Sequence, residues 1–131
     1  MYPIMQKWIH FITSMATINY YLKGAISEQR IRELQHTDKS FLKEQLYAPR
    51  QIYLKLSISG ERLQIYTKKR IAQYYWNKNK QEIDCKRYKN EGVQLNEWLS
   101  DLKTDIYKLA QENELNGIRP NISELKKILE T

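Results

Sequence analysis

The chain has 131 residues, of which 41% are apolar and 28% charged, with a net charge of +7. That size holds one domain with a modest core, and that balance excludes a disordered chain. No run approaches the ~20 apolar residues a membrane-spanning helix needs, and the single Cys85 excludes an internal disulfide framework and suits a reducing, cytoplasmic setting.

The chain opens with "MYPIMQKWIHFITS". Ile4, Met5, Trp8, Ile9 and Ile12 fall on one helical stripe, but the segment has no basic block and no small-residue cleavage site, so it is a poor signal peptide. Residues 1–14 read as a leader, and the domain is expected to begin at Met15. "ATINYYLK" then alternates as a strand: Ile18, Tyr20 and Leu22 share one side, and Asn19, Tyr21 and Lys23 share the other. Gly24 ends it.

Residues 25–48 change period. Ser27 is placed to cap a helix that carries Ile31 and Leu34, and Phe41, Leu42 and Leu46 repeat the spacing. This predicts a short helical insertion, of one or two helices, closed by Pro49. "QIYLKLSISGERLQIYTKK" follows. A two-residue loop at Ser59-Gly60 places glycine where a tight hairpin turn needs positive φ. Leu56 then faces Leu63, Leu54 faces Ile65 and Ile52 faces Thr67 on one surface. Ser57 faces Arg62, Lys55 faces Gln64 and Tyr53 faces Tyr66 on the other.

Residues 70–90 show no clean period and read as a polar loop anchored by Trp76 and by Tyr74 or Tyr75. From Glu91 onward Leu95, Trp98, Leu99, Leu102, Ile106, Leu109 and Ala110 mark a long amphipathic helix. Asn116-Gly117 ends it, and "ISELKKILE" reads as a short terminal helix. The expected fold is α+β: a three-stranded antiparallel sheet packed on one long helix, with its second face open.

Catalytic constellations are missing from the sequence. The glycines at 24, 60, 92 and 117 are too scattered for a phosphate loop, and no H-E-x-x-H, nucleophile elbow or Cys-His arrangement occurs. His10 and His36 lack partners at ligand spacing, so no metal is expected. Glu82 and Asp84 balance a cationic segment rather than form an acid–base pair, and Cys85 beside Lys86 and Arg87 has no base to activate it. Neither a cofactor nor a small-molecule substrate is expected.

The charge is localised. Residues 50–90 carry eleven basic and three acidic side chains, whereas residues 91–131 carry five basic and eight acidic ones. A localised basic region points to a polyanion. The expected contact surface is Asn19, Tyr21, Lys23, Tyr53, Lys55, Ser57, Arg62, Gln64, Tyr66, Lys68, Lys69 and Arg70. A β-ribbon fits the DNA major groove, where Arg62 can pair with guanine and Gln64 with adenine. Lys55, Lys68, Lys69 and Arg70 suit phosphates, and Tyr53 and Tyr66 suit phosphates or sugars. The alternative reading is a protein-interaction or dimerisation module, for which an antiparallel sheet with one wet face needs no DNA. Exposed tyrosines also offer stacking platforms for single strands.

The order of "MATINYYLK", "IYLKLSISGERLQIYTKKRIAQYYWNKNKQEI" and "LNEWLSDLKTDIYKL" resembles the N-terminal arm-type DNA-binding region of phage-integrase-family (tyrosine) recombinases, in the variant carried by integrative and conjugative elements. The resemblance covers residues 15–131, and the insertion at 25–48 is longer than the family's usual connection. It implies an arm-type domain at 15–115 and a linker into a following helical domain at 116–131. It also implies that the three-stranded sheet docks in the major groove of double-stranded arm sites, as part of DNA integration and recombination by a mobile element. The parent's catalytic domain would lie elsewhere, none of the ten tyrosines here is the nucleophile, and other recombinase protomers would be partners only through the full-length protein.

Overall fold

A computed structural model describes residues 17–58 and 61–115. The leader at 1–14, the turn residues Ser59 and Gly60 and the expected terminal helix lie outside the described residues. In chain order the elements are β1 (Thr17–Leu22), α1 (Glu28–Thr37), α2 (Lys39–Tyr47), β2 (Pro49–Ile58), β3 (Glu61–Ala72), a 3-10 turn (Gln73–Tyr75), β4 (Trp76–Asn77), β5 (Glu82–Ile83) and α3 (Asn90–Leu115). The fold is the expected α+β, with an antiparallel sheet in the order β1-β2-β3.

Alternation along the three strands sends Ile18, Tyr20, Leu22, Ile52, Leu54, Leu56 and Ile65 to one face. There they meet Leu99, Leu102, Ile106 and Ala110 of α3 in one buried cluster. Ile52, Leu54 and Ile106 are fully buried at its centre. Each large side chain removed from water this way contributes about 1.5–3 kcal/mol, so this layer carries most of the domain's stability. Tyr20 is the polar member. Its hydroxyl donates to the Leu99 carbonyl at 2.6 Å, bolting β1 to the middle of α3. Burial, and then the neighbouring Tyr107, push the Tyr20 phenol well above its ordinary value.

The hairpin register is as expected from Tyr53↔Tyr66 through Ile58↔Glu61. Ile52 and Thr67 are not a regular pair. The ladder shifts there, resuming at Gln51↔Arg70, so that Ile52 alone opposes Thr67, Lys68 and Lys69. The irregularity is satisfied locally. The buried Thr67 hydroxyl donates to Ile52 O at 2.7 Å and accepts from Lys69 N at 3.2 Å, and Gln51 Nε2 donates to Thr67 O at 2.6 Å. Alternation alone cannot reveal such a bulge, because it depends on one threonine's side-chain bonding.

The insertion is two helices. Ser27 accepts from Arg30 N as the cap of α1, and Asp38 accepts from Phe41 N as the cap of α2. Arg50 holds the insertion against the hairpin. Its Nη1 donates to Gly24 O at 2.6 Å, and its Nη2 donates to Gln45 O and Gln45 Oε1 at 3.1 and 2.9 Å. Gly24 has φ +72, and a Cβ there would stand 3.1 Å from Arg50 Nη1, so both backbone and space call for glycine.

Residues 73–83 form a 3-10 turn and a short β4–β5 hairpin rather than a plain loop; Tyr75 and Trp76 anchor it on the core as expected, and side-chain amides hold it. Gln73 pairs with both the N–H and the carbonyl of Ile26, at 2.9 and 2.8 Å. Asn96 of α3 does the same to Ile83 of β5, at 2.7 and 2.9 Å. Gln81 accepts from Tyr20 N at 2.8 Å and donates to Asn19 Oδ1 at 3.0 Å. Strands of two residues are too short for any period to show. Around them Tyr47, Tyr74, Tyr75 and Tyr88 form a chain of ring contacts from α2 to the start of α3.

Replacing Tyr20 by Phe removes the bond to Leu99 O, whose carbonyl keeps its own helical partner. Urea denaturation at neutral pH is expected to show a loss of about 1 kcal/mol. A phenol whose folded pKa is raised contributes stability that is complete below the unfolded value, here 10.0, and that is lost as pH rises beyond it. Tyr20→Phe is therefore expected to flatten the fall in stability above pH 10.

Candidate nucleic-acid interface

The face opposite α3 is built in rows, because directly opposed residues on antiparallel strands share a side. Thr17, Ser57 and Arg62 make the row nearest the hairpin turn, Asn19, Lys55 and Gln64 the next, and Tyr21, Tyr53 and Tyr66 the third. None of these nine side chains is a carboxylate. Lys55, Arg62 and Gln64 are exposed, and Asn19, Tyr53 and Ser57 are half-buried by their neighbours. The first two rows enclose a depression of about 430 Å³ lined by Asn19, Tyr21, Lys55, Ser57, Arg62 and Gln64.

The third row is an aromatic floor. Tyr21 and Tyr53 stack with ring centroids 5.6 Å apart, and Tyr53 and Tyr66 sit 5.2 Å apart. Two lysines rest on it. Lys55 Nζ lies 5.0 Å from the Tyr21 centroid, and Lys23 Nζ reaches across to lie 5.2 Å from that of Tyr66. A cation on an exposed ring gains about 0.5–1 kcal/mol. A hydrogen bond to a charged group is worth about 1.5–3 kcal/mol, so a phosphate would draw either lysine off its ring. The rings thus store the cations on the sheet without trapping them.

Gln64 donates through Nε2 to the Tyr66 hydroxyl at 2.8 Å. One N–H and the carbonyl oxygen remain free, which is the donor–acceptor pair that an adenine edge requires. Tyr66 therefore orients Gln64 as well as flooring the sheet.

The bulge separates the last three expected contact residues. Arg70 returns to the ladder opposite Gln51, and Lys68 is exposed. Lys69, though also exposed, is turned toward the helix layer, with Nζ 5.1 Å from the Trp98 ring of α3. The structure thus brings Asn19, Tyr21, Lys23, Tyr53, Lys55, Ser57, Arg62, Gln64 and Tyr66 together and does not bring Lys69 with them. Arg50, counted in the basic segment, is spent on Gly24 and Gln45.

A second concavity of about 530 Å³ runs between β1, the insertion and residues 73–78. Ile26, Ile31, Leu46, Tyr74 and Trp76 supply its apolar lining, with Lys78 and Arg87 at its polar part. Sequence reading also missed Gln81, which fixes Asn19 at the margin of the open face. The available signal was the "NKNK" run before it, since Asn77 closes an Asx turn by accepting from the N–H groups of Asn79 and Lys80. Among the described residues no group of His, Cys, Asp and Glu is placed to hold a metal ion, and no helix is long and apolar enough to cross a membrane.

Neither a curated protein nor a solved structure matches the chain. A family model described as an Arm DNA-binding domain matches residues 50–126, which takes in β2, β3, the β4–β5 segment and α3. The match spans more than half of the sequence, and the chain belongs to the Arm DNA-binding domain family.

Proposed function

We propose that the open sheet face reads the major groove of double-stranded DNA at arm sites, as the non-catalytic part of a phage-integrase-family recombinase of the kind that integrative and conjugative elements carry. The single observation that carries this reading is the face itself. It offers three rows of cations, amides and phenols with no carboxylate, on the side away from α3. Membership of a DNA-binding family supports the class of partner.

The dimensions agree. Strands about 4.8 Å apart make the sheet about 10 Å wide between its outer strands. The B-form major groove is about 12 Å wide and admits such a layer. In this reading Arg62 and Gln64 meet base edges near the hairpin turn, and Asn19 and Ser57 add shorter polar contacts. Lys23, Lys55, Lys68 and Arg70 meet phosphates, while the tyrosine row packs on sugars. Residues 15–115 form the arm-type domain, preceded by the leader at 1–14. Residues 116–131 lead toward a following helical domain of the parent recombinase, whose strand exchange is carried out by a separate catalytic domain.

A duplex enriched from a random pool by repeated binding supplies the test. Arg62→Ala and Gln64→Ala are each expected to weaken binding to it by about 1–3 kcal/mol, with little effect on mixed-sequence DNA. Equal losses on both duplexes would overturn base reading. If about six phosphates are neutralised, log K is expected to fall with log salt at a slope of about −5. Lys68→Ala is expected to weaken both duplexes alike. Lys69→Ala is expected to act chiefly on thermal stability, by about 0.5–1 kcal/mol, because its partner is the Trp98 ring. Calorimetry beside fluorescence anisotropy separates the two lysines.

A further inference from the structure

The β4–β5 turn lies along the outer edge of β1 and is unusually well fixed for an exposed loop. Asn77 Oδ1 accepts from Asn79 N and Lys80 N, both at 3.1 Å, which closes the turn on itself. Gln81 follows with φ 55, a left-handed conformation that side chains other than glycine rarely adopt. That conformation lays the Gln81 amide along β1, where it takes the outward N–H of Tyr20 and the side chain of Asn19. Asn19 belongs to the open face, so the turn is joined to that face directly.

The turn from Lys78 to Gln81 is positive, exposed Glu82 follows it in β5, and Lys80 lines a concavity at the β1 edge shared with Asn19 and with Asn96, Ser100 and Lys103 of α3. Lys78, Asn79 and Lys80 are exposed. Lys78 Nζ is 3.2 Å from Glu28 Oε1, but both side chains are more than two-thirds exposed, so that pair holds little. Lys80 makes no ion pair among the described residues.

The geometry of a sheet in a groove gives this placement a meaning. A layer about 10 Å wide in a groove about 12 Å wide brings its two edges against the two sugar–phosphate walls. The β3 edge carries Lys68 and Arg70. Between Thr17 and Leu22 β1 carries no cation, and Lys23, just beyond it, reaches away from that edge, across the sheet to the Tyr66 ring. We propose that the β4–β5 turn is a phosphate-binding finger that supplies the missing wall contact: Lys80, with Lys78 beside it, meets the DNA strand running along β1, and Gln81 is the positioning residue that holds the finger there. This rests on the major-groove reading of the sheet, and it adds a contact outside the sheet itself.

The test uses the full chain in fluorescence anisotropy, with one duplex enriched from a random pool and one of mixed sequence and equal length. Lys80→Ala is expected to make the log K–log salt slope shallower by about 0.9 on both duplexes and to leave their affinity ratio unchanged. Gln81→Gly keeps the positive φ and removes only the amide. It is expected to weaken both duplexes although no charge is lost, with cooperative thermal unfolding retained. In the double variant Lys80→Ala is expected to add little, because an unheld finger has no fixed contact to lose. A Lys80→Ala slope equal to that of the parent chain overturns the finger. If Lys55→Ala flattens the slope in that same series, the sheet-face reading survives; if the parent chain retains neither duplex, both fall together.

Discussion

Burial of one sheet face against α3 is the constraint on which everything else rests. Side chains alternate strictly along a strand, so sending Ile18, Leu54 and Ile65 inward leaves Asn19, Lys55 and Gln64 no direction but outward. The composition of the open face is therefore inseparable from the stability of the core. A slip of β2 by one residue would bury Lys55 and expose Leu54 and Leu56 together, at a cost of several buried large side chains. Tyr20 strengthens the same choice from the polar side, because its hydroxyl, buried on this face, is satisfied there by the Leu99 carbonyl.

Amide side chains do the joining that longer strands would otherwise do. Gln73, Gln81 and Asn96 each offer one acceptor and one donor in a plane. Gln73 and Asn96 each take both backbone groups of one residue, while Gln81 takes the N–H of Tyr20 and the side chain of Asn19. Residues 73–83 are thereby fastened to the insertion, to β1 and to α3 at three separate places. Gly92 completes the third: a Cβ there would stand 3.1 Å from Ile83 Cγ2, so β5 could not approach the first turns of the helix as closely. Gln81 also occupies an outward-facing N–H of an edge strand, the kind of group a second chain would otherwise pair with.

The parts legible in the sequence were those governed by a period. Alternation on both sides of Ser59-Gly60 returned the hairpin pairing of Leu56 with Leu63 and of Lys55 with Gln64, and the three-four spacing from Leu95 to Ala110 returned α3. Ser27 was recognisable as a cap because its role depends only on the residues that follow it. The bulge at Ile52 and the fastening of residues 73–83 carry no period. They depend on where single polar side chains find partners up to sixty-two positions away, which local pattern does not encode. For the open face, the sequence placed nine of twelve side chains on one surface. Lys69 is the exception because alternation from the buried Thr67 sends it to the helix side, where it meets the Trp98 ring.

The Arg50 clamp has a consequence for how this fold tolerates change. The guanidinium binds main-chain oxygens of Gly24 and Gln45 at the two ends of the inserted stretch, and it does so at the end of the hairpin far from Arg62 and Gln64. Between those two anchor points the stretch borders the open face only at Tyr21 and Tyr53, away from Arg62 and Gln64. The stretch can lengthen, shorten or acquire a new role over evolutionary time while Lys55, Arg62 and Gln64 keep their places on the open face.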